Sequence, residues 1–400
     1  MRLRTFESFW LLKNGLKYCY PSLQHSLDAE IIVIGGGITG ALTAHALMDE
    51  GYDVLLLDKR DIGQGSTAAT TSMLQYEIDV SLYQLSEMIG EDNASLAYRS
   101  GIKALKKLDE LISHTKIDCS YESKQSVYMA HNKKALTDLR NEFLIREKHH
   151  LDVMWLNEKD LASNYGLVSP GAILSEHAAS VDAYAMAHEL IAFNVKRGLK
   201  VYDQVEIDEI QTGDPAPWIR LKNGAMATAK KLIFCTGFES TKMLKESIAD
   251  LFYTYACISE QNCLFPPALQ KTLVWDTADP YLYMRSTPDN RLLIGGEDSS
   301  NNIPFFQQKI KERKSLQLIS KLEKILPGIH FTEDFSWGGT FGSTKDGLPY
   351  IGKSPEHEHA LFVLGFGGNG ITFSIQAMEI IPTLLKGESH PLAGLYKFGR

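Results

Sequence analysis

Cysteine is scarce in this chain. Cys19, Cys119, Cys235, Cys257 and Cys263 are five residues spread over 400 positions. The number is odd and no two form a Cys-x-x-Cys pair. That argues against a disulfide framework and against a dithiol redox centre, and a reducing compartment is the simpler setting. Long apolar runs are missing as well. The longest are strand-sized, so no membrane span is expected, and FWLL near the N-terminus is too short for the core of a secretory signal. Basic excess is absent: 41 Lys and Arg against 49 Asp and Glu leave a formal charge of −8. That balance disfavours a general nucleic-acid binder. Internal repeats and low-complexity tracts are lacking too. No histidine spacing stands out as a ligand set, so no metal is expected. His45 reads as structural, and His149 and His150 beside Lys148 read as surface. The expectation is a soluble, cytoplasmic chain.

What is present is ordinary globular composition, 44% hydrophobic and 22% charged, in a length that suits two domains. Residues 1–28 read as a lead-in that packs on the body through Trp10, Leu11, Leu12, Leu16 and Tyr18. Then comes EIIVIGGGITGALTAHALMDEGYDVLLLDKRDIG, which reads as strand, glycine turn, helix, strand. Helices are predicted over 84–112, 135–148, 180–197 and 306–325. Strands are predicted at 126–130, in LKVYDQ, WIRLKN and KKLIFCTG, over 252–264, and in a hairpin of 281–285 and 291–294 turning at Pro288-Asp289.

Gly35, Gly37 and Gly40 form GxGxxG. Gly35 permits the sharp turn out of the strand, Gly37 removes a side chain where a pyrophosphate approaches, and Gly40 lets the helix pack on the strand. Free N–H groups at the helix start, at Ile38 and Thr39, suit phosphate. Asp58 stands eighteen residues after Gly40, at the end of the second strand, where it can accept both ribose hydroxyls. An acid there disfavours a 2′-phosphate, although Lys59 and Arg60 keep that point open. The loop of Gly63, Gly65, Ser66, Thr67, Thr71 and Ser72 suits a cofactor that extends past the sheet. A dinucleotide site is expected, with FAD and NAD both fitting this element. No second GxGxxG supports a separate NAD domain.

GGGITG, DIGQGSTAA, KLIFCTG, TPDNRLLIGG, SWGGTFGSTKDGLPYIG and LFVLGFGGNGITFSIQAMEIIPTLLKG together resemble the FAD-dependent amine and amino-acid oxidoreductases of the D-amino acid oxidase, glycine oxidase and sarcosine oxidase type, over roughly residues 29–388. The resemblance implies an α/β Rossmann-like FAD-binding domain interleaved with an α+β substrate domain on a large mixed or antiparallel sheet. The corresponding division is 1–83, 145–240 and 330–400 for the FAD-binding domain, and 84–144 and 241–329 for the substrate domain. It implies Ile207 near the adenine, and Thr236 and Gly237 near the pyrophosphate. It also implies that Gly367, Gly368, Asn369, Gly370 and Ile371 pass under the pyrimidine side of the flavin. A helix N-terminus there would stabilise the negative charge of the reduced ring.

The implied reaction is oxidation of the C–N bond of a small amine or amino acid to an imine, by hydride transfer to flavin N5. A 2-hydroxy acid dehydrogenase and a non-catalytic FAD-stabilised interaction module remain as alternatives. Such chemistry needs position and desolvation more than an acid–base triad. Tyr281, Tyr283 and Arg285 alternate on one strand face. Arg285 is a candidate carboxylate clamp, with a structural salt bridge or an exposed edge position as the other readings. Trp337 is a candidate wall over the ring, and Tyr76 and Glu77 are candidate lining residues. The family's flavin-linked cysteine has no counterpart near Trp337 and Gly338, and residues 67–72 contain no histidine, so non-covalent FAD is expected. Leu292 and Leu293 occupy the neighbourhood of the family's oxygen-activating lysine, with Arg291 beside them. The electron acceptor, oxygen or another, therefore stays open, as does the oligomeric state.

Overall fold

The strands on either side of the glycine turn are apolar at every position because both their faces are covered. The structure, a computed structural model, describes residues 4–5, 7–300, 307–365 and 367–400. Ile31–Ile34 and Val54–Leu57 are buried throughout, the pattern of a parallel sheet between two layers. They form the centre of a six-stranded sheet in the order Tyr350–Lys353, Ala360–Leu364, Lys231–Phe234, Ile31–Ile34, Val54–Leu57, Lys200–Tyr202. Only the first pair is antiparallel. Helices Ile38–Asp49, Ala183–Val195 and Gly370–Leu385 contribute one buried core with this sheet, joined by Glu91–Thr115. A small sheet of Ile207–Gln211, Trp218–Leu221, Met226–Thr228 and Leu27–Asp28 contributes the second.

The other body is a ten-stranded mixed sheet. Its order is Arg4–Thr5, Glu333–Ser343, Asp250–Ser259, Leu292–Ser299, Leu282–Ser286, Thr272–Asp276, Glu122–Met129, Gly171–Ser180, Met73–Gln75, with Val153–Asn157 also on Gly171–Ser180. Helix Gln307–Ile325 packs on it. The fold is thus a Rossmann-like unit interleaved with a large sheet. Val153–Asn157, Gly171–Ser180 and Glu333–Ser343 lie in stretches that the sequence division gives to the cofactor unit, yet they pair in the large sheet.

Several local expectations change. The helix read over 84–112 is two helices, Leu82–Ile89 and Glu91–Thr115, broken at Gly90 with φ 85°. Strand Ile207–Gln211 stands between the two strands read before and after Asp214-Pro215. The helix read over 306–325 is Gln307–Ile325, and position 306 lies outside the described residues. In the lead-in, Phe9 and Trp10 are the buried anchors, whereas Leu12, Leu16 and Tyr18 are exposed. No described helix is long and apolar enough to cross a membrane.

Candidate cofactor and substrate site

One cavity of about 580 Å³ runs from the end of Val54–Leu57 to the large sheet. At its first end the turn from Ile31–Ile34 into Ile38–Asp49 exposes Gly35, Gly37, Ile38 and Thr39. Gly35 takes φ 111° against the Cys235 carbonyl. Gly40 does not line the cavity. A Cβ there would run into the Gly35 carbonyl oxygen, so its role is close packing of helix on turn. The Asp58 carboxylate accepts from Gly36 N–H at 2.6 Å and Arg60 N–H at 2.8 Å while lining the cavity. Burial raises its pKa, and the two N–H groups pull the other way. Lys59 and Arg60 line this end too, both bound to Glu239, at 2.5 and 3.1 Å. Ile207, Thr236 and Gly237 complete it. A carboxylate for ribose hydroxyls, a helix N-terminus and a wall without a Cβ at Gly37 are the donor and acceptor set that FAD's adenosine diphosphate half requires.

The loop after the second strand forms the middle of the cavity through Gly65, Ser66, Thr67 and Thr71. The Thr67 hydroxyl accepts from Ile38 N–H at 3.0 Å, so this N–H, expected to be free, is engaged by the loop. Behind this loop three donors hold three successive carbonyls. Trp337 Nε1 donates to Ala69 O at 2.8 Å, Trp10 Nε1 to Thr70 O at 2.6 Å and Arg285 Nε to Thr71 O at 2.7 Å. Trp337 is therefore a support behind the loop rather than a wall over the ring. Arg285 is likewise not a clamp in the cavity. Its face continues that of Tyr281 and Tyr283, which do line the cavity, but two residues further on the strand passes beneath the loop. There Arg285 also donates to Val181 O at 3.1 Å and lies 5.1 Å from the Trp10 ring, and burial lowers its pKa to about 10. Ser72 is buried with φ 56° and turned out of the lining.

At the far end Gly367, Gly368, Asn369, Gly370 and Ile371 open onto the cavity at the start of Gly370–Leu385. This helix packs on Ile38–Asp49, with Thr39 Oγ1 and Ser374 Oγ 2.8 Å apart, so two helix N-termini face one cavity. Asn369 Nδ2 donates to Gln75 O and Glu77 O at 2.9 and 2.8 Å, which ties the glycine segment to the stretch after the loop. Along that stretch Met73, Gln75, Glu77 and Asp79 line the cavity, while Leu74, Tyr76 and Ile78 enter the core. Tyr76 is thus a core residue, edge-on to Tyr98 at 5.9 Å, because it has the wrong parity. Glu77 is tied to Arg146 at 3.3 Å, both side chains fully buried. Gly338 is not in the lining: a Cβ would strike the Tyr253 ring, and its neighbours Gly339, Thr340 and Phe341 line the cavity instead. Arg291 is paired with Asp289 and Asp334, and neither it nor Leu292 nor Leu293 reaches the cavity.

Asp79, Trp275 and Tyr281 are lining residues that sequence reasoning missed or left unassigned. The signal for Asp79 was there: LQYEID alternates apolar and polar with period two, which puts the polar set on one face. No histidine is among the described residues lining the cavity. Asp214, Glu358 and His359 come together at the surface in a spacing open to a metal, but Lys231 Nζ also sits 3.0 Å from His359 Nδ1.

A Rossmann-like cradle continuous with a cavity against a large mixed sheet defines a flavin-type oxidoreductase architecture. The family model described as FAD dependent oxidoreductase (DAO) matches residues 30–380, and the chain belongs to that family. It is an FAD-dependent oxidoreductase, and FAD is its cofactor. It is similar to a gamma-glutamylputrescine oxidoreductase of Escherichia coli (strain K12), 24% identical over 96% of this chain and 89% of the relative. A putative Rieske 2Fe-2S iron-sulfur protein of Bacillus subtilis (strain 168) is 21% identical over 98% of this chain and 75% of the relative. Among solved structures, glycine oxidase from Geobacillus kaustophilus superposes with a TM-score of 0.78 at 18% identity, over 93% of this chain and 99% of that one.

Proposed function

We propose that the protein oxidises the C–N bond of a small amine or amino acid to an imine. When bound, FAD supplies the hydride acceptor. The observation that carries the reading is the continuity of one cavity from Asp58, through the two helix N-termini, to the tyrosine wall of the large sheet. The names of relatives that match nearly the whole chain, a gamma-glutamylputrescine oxidoreductase and glycine oxidases, support a nitrogen-bearing substrate. The division into a cofactor unit and a substrate unit belongs to the same reading, with strands Val153–Asn157, Gly171–Ser180 and Glu333–Ser343 on the substrate side.

In this reading Gly35, Gly37, Ile38 and Thr39 receive the pyrophosphate, with Gly65, Ser66, Thr67, Thr236 and Gly237 around it. Asp58 and Lys59 hold the ribose and Ile207 flanks the adenine. Thr71 and residues 367–371 border the ring, and Tyr281 and Tyr283 position the substrate and exclude water. FAD is held without a covalent bond. Cys235 touches the cavity, but its sulfur faces Thr43 Oγ1 at 3.6 Å and burial pushes its thiol up to about 12.

The test is anaerobic addition of amines, D- and L-amino acids, N-methyl amino acids and 2-hydroxy acids to the purified yellow protein, followed by its visible spectrum. Bleaching by a nitrogen compound is the expected result. Bleaching by hydroxy acids alone, or by no member, would overturn the C–N reading.

A further inference from the structure

The two ends of the cavity differ in charge. Lys59, Arg60 and Lys222, the basic residues that line it, stand at the Asp58 end and are each paired, with Glu239 or with Glu206 at 2.6 Å. At the large-sheet end the described lining residues include Gln75, Asp79, Thr254, Trp275, Tyr281 and Tyr283, and no cation. Residues 301–306, which follow the strand carrying Asp298, read NNIPFF and carry no charge in sequence. Arg285, the cation of that strand face, is turned behind the loop and held by two backbone carbonyls. A substrate carboxylate thus meets no bidentate partner among the described lining residues there.

An ammonium group meets several partners. Asp79 is exposed to the cavity, and its carboxylate forms part of the wall. One oxygen accepts from Gly368 N–H at 2.8 Å, and Cβ atoms at Gly367 or Gly368 would collide with this carboxylate, so the glycines make room for it. Glu77 on the same face is ion-paired with Arg146, which it shares with Glu142, whereas Asp79 has no ion pair among the described residues at this end. Asp298, in strand Leu292–Ser299, has a buried Oδ1 with no hydrogen-bond partner among the described residues, and its charge adds to burial in raising the pKa of Asp79. The Trp275 ring, stacked on Tyr128 at 3.7 Å, and the Tyr281 and Tyr283 rings at 5.5 Å from each other add aromatic faces. A carboxylate that shares a cavity wall with aromatic rings suits alkylammonium groups.

We propose that the substrate is a cationic amine without an α-carboxylate, such as an aliphatic diamine or an N-alkyl derivative of one, and that Asp79 holds its non-reacting positive charge. This rests on the C–N oxidation reading for the reaction, while the recognition of charge stands on the cavity itself. The reacting nitrogen is neutral when its α-hydrogen leaves as hydride, so the charge that Asp79 reads is a second one.

Two measurements on the FAD-loaded protein test the proposal. The first is calorimetric binding of unreactive probes, benzyltrimethylammonium against benzoate. The cation should bind at least about tenfold more tightly, and Asp79→Asn, which keeps an oxygen for Gly368 N–H, should weaken it about tenfold or more with FAD content unchanged. The second compares anaerobic flavin reduction by 1,4-diaminobutane and by ornithine, the same skeleton with an α-carboxylate; the diamine should be favoured. Tighter benzoate binding, an indifferent Asp79→Asn, or a preference for ornithine overturns the proposal. Should Asp79→Asn fail to retain FAD, the probe comparison on the wild type still decides. Selective cation binding with no bleaching by any amine would overturn the C–N reading alone and leave charge recognition standing.

Discussion

Asp58 and Asp79 are both carboxylates on the wall of one cavity, and their surroundings are opposite. Asp58 accepts from two backbone N–H groups, and its neighbours Lys59 and Arg60 are locked to Glu239. Asp79 accepts from one N–H and has no cation beside it among the described lining residues. The first is an acid held in a fixed direction, as a permanently bound partner requires. The second is open to a ligand that arrives and leaves. Fixed groups come from the βαβ turn, where backbone geometry dictates them. The open group comes from a stretch that the large sheet and the glycine segment enclose.

The largest effect should come from breaking the fixed end. Gly40→Val places a branched side chain against the Gly35 carbonyl oxygen, which the backbone cannot yield without moving the turn. The expected outcome is loss of bound FAD and destabilisation of about 3 kcal/mol or more, read by absorbance per protein and by chemical denaturation. Asp58→Asn is milder. It replaces a charged acceptor of two N–H groups with an amide that accepts well through one oxygen, and FAD affinity in apoprotein titration should fall about 10- to 100-fold.

How legible these ends were in the sequence follows from how local their causes are. The cradle of Gly35, Gly37 and Asp58 depends on contiguous chain, so its motif identifies it. Gly367 to Ile371 also lie where the resemblance puts them, on the cavity. Arg285, Trp337 and Tyr76 went astray for a different reason. Alternation tells which residues share a strand face, and Tyr281, Tyr283 and Arg285 do share one. It does not tell where the loop of residues 66–72 crosses that face, because the crossing is set by chain 214 residues away in sequence. Trp10 was read as a cover for apolar surface; its donation to Thr70 O is long-range in the same way.

Those long-range donors give the next effect. Trp10→Phe, Trp337→Phe and Arg285→Met each leave a loop carbonyl without its donor. The expected loss is about 1–3 kcal/mol of stability each, with weakened FAD retention. Arg285→Met should not change the ratio of carboxylated to uncarboxylated substrates. A selective loss of carboxylated ligands would restore the clamp and erase the contrast between the two ends.

The smallest effect separates the ends by pH. Burial, helped by Asp298, raises the Asp79 pKa from the usual carboxylate range to about 6. A raised carboxylate pKa means that the folded state holds this proton more tightly than the unfolded chain. Ionisation therefore works against the empty fold as pH rises from the unfolded carboxylate range through about 6, and protonation relieves it below. A bound cation reverses the preference, because it favours the ionised form. Affinity for benzyltrimethylammonium should accordingly rise between about pH 5 and 7 and level off above. No histidine is among the described lining residues, and Asp298 is the other raised carboxylate that acts on Asp79. In Asp79→Asn the rise should vanish while FAD affinity follows the same pH course as in the wild type. A cation affinity that is flat with pH in the wild type, or a rise that survives Asp79→Asn, would place the responsive charge elsewhere and leave Asp79 as fixed in function as Asp58.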